Sequence, residues 1–185
     1  MLAWLQEIYS EPLFWLFPVA GWAIGVVSFL AFALPLTWLA WQQPAWAERY
    51  RIQARKTGRR SVVVPALRHV VRNNLVLGIV TVASWPLLRL SNVHAGPLPA
   101  WWVIVVQLLF FLVLDDFLFY WMHRGLHEHK WLFKKVHSTH HRIMTPWAIT
   151  GHYMHPLEYV LTGTVMLVGP LIVGAPASRA CRAPD

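Results

Sequence analysis

From position 12 to position 47 the chain carries no Asp, Glu, Lys or Arg. A helix needs about 20 apolar residues to cross a bilayer. The stretch therefore holds one span, placed at 14–41, with a tight hairpin as the less favoured alternative. Only 13% of the 185 residues are charged, against roughly 25% in an ordinary globular chain, and 57% are hydrophobic. An ordinary soluble domain is excluded. The net charge of +8 would suit a nucleic-acid binder, but the basic residues lie between long apolar runs, so no nucleic-acid partner is expected. The lone Cys181 excludes an intrachain disulfide and a multi-cysteine metal site. The N-terminal segment holds Glu7 and Glu11 and no basic residue, so a standard signal peptide is not expected.

Positions 48–72 hold Arg49, Arg51, Arg55, Lys56, Arg59, Arg60, Arg68 and Arg72 against one Glu. They read as a basic loop ending in a short interfacial segment. A second apolar run, 73–90, is short for a span, but arginines at its ends can snorkel to the headgroups. Gly96, Pro97 and Pro99 mark a turn after it. A third span at 101–122 leads into a polar, His-dense region at 123–155, and a fourth span follows at 158–178. Basic residues collect in cytoplasmic loops. The 48–72 loop and the 123–142 segment are basic, whereas the N-terminus and the 91–99 turn have no Lys or Arg. Trp38, Trp41 and Trp121 then fall near the inner interface, and Trp101 and Trp102 near the outer one. The expected fold is all-α: one multi-pass integral membrane bundle over 1–185, of about four transmembrane helices, with a cytoplasmic His-rich helical cap.

Eight of the ten histidines fall between 123 and 155. They form three groups: His123 with His127, then His137, His140 and His141, then His152 with His155. On a helix, positions four apart differ by about 40° and positions three apart by about 60°. Each group therefore turns its imidazoles to one side. Neutral imidazole is a common ligand for iron, zinc and copper. The three groups are read as a metal site, in preference to a wet, titrating juxtamembrane face. His129 lies off the pattern and reads as solvated, and His69 and His94 read as interfacial. Asp115 and Asp116 sit in the inner half of the third span, where a carboxylate usually faces the bundle interior. Asp116 lies about two turns before His123. It either orients a ligand histidine through its distal ring N–H or pairs with Arg124 or Arg72. Glu158 has a similar pair of readings. No phosphate loop, dinucleotide fingerprint, hydrolase elbow or zincin motif is present.

Asp116-Phe-Leu-Phe-Tyr120-Trp-Met-His123-Arg-Gly-Leu-His127, Lys135-Val-His137-Ser-Thr-His140-His141, Thr145-Pro146 and His152-Tyr-Met-His155-Pro156-Leu-Glu158 resemble the sterol desaturase and fatty acid hydroxylase superfamily. The Thr-Pro followed by HxxHP is most similar to the sterol C5-desaturase branch. The resemblance implies a membrane-bound non-haem di-iron oxidoreductase. Such an enzyme uses O2 and two electrons to hydroxylate or desaturate a sterol-like or fatty acyl lipid. It also implies two iron ions, with His123, His127, His137, His140 and His141 matching the first two ligand clusters and His152 and His155 at the HP position. The implied partners are a membrane lipid and a cytoplasmic electron donor of the ferredoxin or cytochrome b5 type. The basic loop is either a docking surface for that donor or simply a topology signal.

The family carries a further HxxHH-like cluster downstream, which this sequence does not reach. The expectation is a C-terminally incomplete chain with seven candidate ligands, in which one iron site lacks ligands. Two other functions stay open: an inactive metal-binding remnant of the family, and a His-rich membrane metal carrier. A carrier would place ligands within the spans, whereas these histidines cluster after the third one.

Overall fold

A backbone inside hydrocarbon must satisfy its own polar groups, and a helix does so within one segment. The computed structural model describes residues 2–50, 62–174 and 176–178, and it is accordingly helical. Its main helices are α1 (Leu2–Ser10), α2 (Pro12–Gln42), α3 (Val63–Ala83), α4 (Trp101–Glu128), α5 (Lys130–Lys135) and α6 (Pro156–Val173). Among these, α2, α3, α4 and α6 are long and apolar enough to cross a membrane, as the expected all-α membrane architecture requires. Large apolar side chains such as Phe32, Ile79 and Val113 point outward. Within α2, Pro18 lacks the N–H that a regular ladder needs, and the helix widens to a π turn over Trp15–Val19. Residues 51–61 of the expected basic loop lie outside the described residues.

The second span differs from the expected 73–90. It begins at Val63, so 63–72 are helix rather than loop. Arg72 and Asn73 look too polar for a span, but their polar groups are engaged. Arg72 donates to Asn73 Oδ1 and the Met154 carbonyl, and Asn73 Nδ2 donates to the carbonyls of His152 and Met154. The helix stops at Ala83 because Pro86 has no N–H for the Val82 carbonyl, which accepts from the Tyr9 hydroxyl at 3.1 Å instead. A separate turn, Trp85–Leu88, follows. α4 runs past the expected end at 122 to Glu128, carrying both His123 and His127. α6 ends at Val173 rather than at 178, where Gly174 takes a left-handed φ of 85°. The His-rich segment forms α5 and two 3₁₀ turns, His137–Arg142 and Ala148–His152.

The chain divides into two compact units. One comprises 1–23, 78–125 and 161–185. There the fully buried Trp85 donates through its indole to the Ile8 carbonyl at 2.8 Å, and Phe14 packs beside it. Arg89 pairs with Glu11, and Asn92 Nδ2 donates to the Ile172 carbonyl at 2.6 Å. Residues 94–96 and 176–178 form a short parallel ladder, with His94 opposite Pro176. The other unit comprises 24–77 and 126–160. Its buried core is Ala33, Ala66, Val70, Trp147 and Ile149, edged by Phe29, Trp41 and Tyr153. Thr37 Oγ1 in α2 accepts from Ile149 N at 3.0 Å, which ties the His-rich segment to that core.

Candidate metal centre

His123 and His127 stand one turn apart near the end of α4 and share a face of that helix. The His123 ring stacks on Phe119, one turn earlier. His129 ends the helical run and caps α5, its Nδ1 accepting from Leu132 N at 3.4 Å. It is exposed, as expected for a solvated side chain, but it also has this structural task. The 3₁₀ turn His137–Arg142 comes next. With three residues per turn, His137 and His140 lie on one side of it, and His141 follows.

Three imidazoles converge here. His137 is fully buried, and its Nε2 lies 3.0 Å from His127 Nε2 and 2.9 Å from His141 Nε2. The buried Glu158, in the first turn of α6, accepts from His137 Nδ1 at 2.7 Å. A helix N-terminus favours a carboxylate, because its free N–H groups and dipole are positive. With Nδ1 protonated, His137 Nε2 turns its lone pair toward the other two nitrogens. This donor set fits a metal cation. Nitrogen ligands about 2.1 Å from a metal and at right angles to each other sit about 3.0 Å apart, close to the spacing observed. An all-imidazole set suits iron, zinc or copper. Phe133 packs beside all three rings as an apolar wall, with centroids 5.6 to 6.1 Å away.

The remaining candidates have other partners. His140 is half-buried; burial, and then the neighbouring His141, lower its pKa, and the Tyr153 backbone opposes that shift. His152 stacks on Phe29 with centroids 3.5 Å apart, and burial pushes its pKa down to about 4. His155 Nδ1 accepts from Leu157 N at 3.2 Å at the start of α6. Its pKa is lowered by burial first, then by Arg72 and His69. Asp116 is exposed on α4. Arg124 reaches the Tyr120 hydroxyl and lies over the Trp121 ring. His127, His137 and His141 are thus brought together with Glu158, and His140 stands beside them. The ligand nitrogens of His123, His127 and His137 lie within 4.8 Å of one another. His152 and His155 use Nδ1 for other partners.

Several residues of this region were not legible in the sequence. His69 has partners beyond an interface: its Nδ1 lies 2.9 Å from Arg72 and 3.1 Å from the Met154 carbonyl, and its ring packs on Tyr153, because it sits within α3 rather than on a loop. Phe29, Asn73, Asn74 and Tyr159 also surround the 152–155 segment. Their one sequence signal is the Asn73–Asn74 pair inside an apolar run, where two amides need partners.

Residues 108–181 match a family model described as fatty acid hydroxylase. The chain is 42% identical over 131 residues to the very-long-chain aldehyde decarbonylase GL1-11 of Oryza sativa subsp. indica, covering 68% of this chain and 47% of the relative. It is 45% identical over 93 residues to methylsterol monooxygenase 2-1 of Arabidopsis thaliana, covering 50% of this chain and 34% of the relative. Methylsterol monooxygenase 1-3 of Arabidopsis thaliana is 30% identical over 152 residues, covering 80% of this chain and 51% of the relative. The chain thus spans about half or less of the length of these curated relatives. No solved structure is significantly similar to it. The matched domain and these relatives place the chain in the sterol desaturase and fatty acid hydroxylase superfamily, to which it belongs.

Proposed function

We propose that this chain is a membrane-bound non-haem di-iron oxidoreductase that uses O2 and two electrons to hydroxylate or desaturate a sterol-like or fatty acyl lipid. The observation that carries the reading is the convergence of His127, His137 and His141 through Nε2, with His137 held from behind by the buried Glu158. His123 and His140 flank this trio in sequence and complete the first two clusters, and His152 and His155 supply further nitrogens. Bound iron would supply the one-electron and O2 chemistry that side chains lack for breaking an unactivated C–H bond. The protein's own part is positional. Glu158 keeps the Nδ1 proton on His137, so Nε2 stays available to a cation. Phe133 keeps water from one side of the trio. The outward apolar surfaces of α2, α3, α4 and α6 suit a lipid that arrives through the bilayer.

The relatives support a lipid substrate: one kind is named for a methylsterol and the other for very-long-chain aldehydes. The basic segments favour a cytoplasmic His region, where a ferredoxin or cytochrome b5-type protein would deliver electrons. A metal carrier is disfavoured because the trio's helical member, His127, sits in the last turn of α4 and not at its middle. The test is iron-loaded chain in nanodiscs with candidate lipids, a reductant and isotopically labelled O2. Lipid-dependent O2 uptake is expected, with label in a new lipid hydroxyl or in water beside a new double bond, and His137→Ala is expected to abolish it. Chain that holds two irons and still consumes no O2 with any sterol or acyl lipid would overturn the oxidoreductase reading.

A further inference from the structure

We infer that Asn74 and Tyr159 form a positioning pair that sets the tautomer of His152, leaving Nε2 as the lone-pair atom it offers to a metal; the ligand role rests on the di-iron reading above. Asn74 Nδ2 donates to the Val70 carbonyl at 2.8 Å, one turn back on α3. That bond fixes the amide, since a flipped amide would set Oδ1 against another carbonyl oxygen. Oδ1 therefore faces Tyr159, whose hydroxyl donates its single proton to it at 2.8 Å. The same hydroxyl oxygen lies 3.1 Å from His152 Nδ1. Having donated its proton to Asn74, it can only accept from His152, so Nδ1 carries the ring hydrogen. In the neutral ring that a metal requires, the lone pair is then on Nε2.

The rest of the residue is held as firmly. The ring lies against Phe29 with the two planes 12° apart, and Asn73 Nδ2 holds the His152 carbonyl at 3.0 Å. Ring plane, backbone and tautomer are thus set by residues of α2, α3 and α6 together. Metal-binding histidines are generally held this way, with the distal ring nitrogen hydrogen-bonded to a fixed partner. Here a tyrosine, polarised by an asparagine, takes the place that Glu158 takes behind His137.

The test is nuclear magnetic resonance of the full metal-free chain carrying isotopically labelled histidine, followed by cobalt(II) titration. The His152 signal, identified by its loss in His152→Gln, is expected to show the Nδ1–H tautomer. Asn74→Leu removes the acceptor for Tyr159, whose proton then turns to His152, and the tautomer is expected to invert. Asn74→Asp keeps an acceptor and is expected to keep the tautomer, which a merely structural Asn74 would not explain. Cobalt affinity is expected to fall roughly 10-fold or more in Asn74→Leu but not in Asn74→Asp. A wild-type Nε2–H tautomer, or a tautomer unmoved by Asn74→Leu, overturns the pair. Equal cobalt binding by wild type and Asn74→Leu overturns the positioning role alone. Wild-type chain that binds no cobalt overturns the ligand role together with the di-iron reading, while the tautomer result still decides the hydrogen-bond assignment.

Discussion

His137 is fully buried, yet both of its ring nitrogens have defined surroundings: Glu158 on one side and two imidazoles on the other. Glu158→Ala leaves a buried Nδ1–H without its acceptor, at a cost of about 1–3 kcal/mol. A lower melting temperature and a roughly 10–100-fold weaker metal affinity are expected. Glu158→Gln keeps an acceptor and should do less harm by both measures; equal behaviour of the two variants would contradict the assignment. The contribution of the buried histidines to the pH dependence has a definite sign. Burial lowers the pKa values of His140, His152 and His155 below the ordinary 6.5. The unfolded chain therefore takes up protons first as the pH falls. Stability from these groups is full above 6.5 and declines below it, and for His152 the decline ends near 4. The drop in melting temperature of metal-free chain between neutral and acidic pH should accordingly be smaller in His152→Gln than in wild type, and an unchanged drop would contradict the burial of His152.

At the scale of elements, the absence of charge from 12 to 47 made α2 visible in the sequence, and the long apolar run before His123 made α4 visible. The second helix was misplaced for a physical reason. Arg72 and Asn73 look like loop residues, but their partners are carbonyls of His152 and Met154, about eighty positions away. Sequence periodicity carries no trace of such bonds. The histidine spacing did indicate His127, His137 and His141, because HxxxH and HxxHH set rings on one side of a turn. It could not show that His155 and His129 bond backbone N–H groups at helix starts, or that Tyr159 and Asn74 stand behind His152. Close helix packing gives a paired prediction. A Cβ at Gly169 would lie 2.6 Å from the Phe111 ring, whereas one at Gly125 would meet nothing within 4 Å. Gly169→Ala should destabilise the chain by about 1–3 kcal/mol, and Gly125→Ala should stabilise it by roughly 0.5–1 kcal/mol as a better helix former. Thermal melts in one detergent would check the opposite signs.

For the molecule as a whole, four candidate spans and an outward apolar surface make the bilayer its solvent. α4 separates the 91–99 turn from the His region, so a single crossing puts them on opposite faces. In a Cys181→Ser background, a membrane-impermeant thiol reagent should label Lys134→Cys from the cytoplasmic side only and Leu98→Cys from the other side only. Labelling of both from one side would contradict the span assigned to α4. Metal binding by the trio can be measured without knowing the lipid. Its most direct test is iron bound per chain after purification in detergent, compared among wild type, His137→Ala and His129→Ala. Iron should be retained by wild type and by His129→Ala, whose lost side chain only caps α5, and should be lost from His137→Ala. Iron absent from wild type, or retained in His137→Ala, would contradict the account.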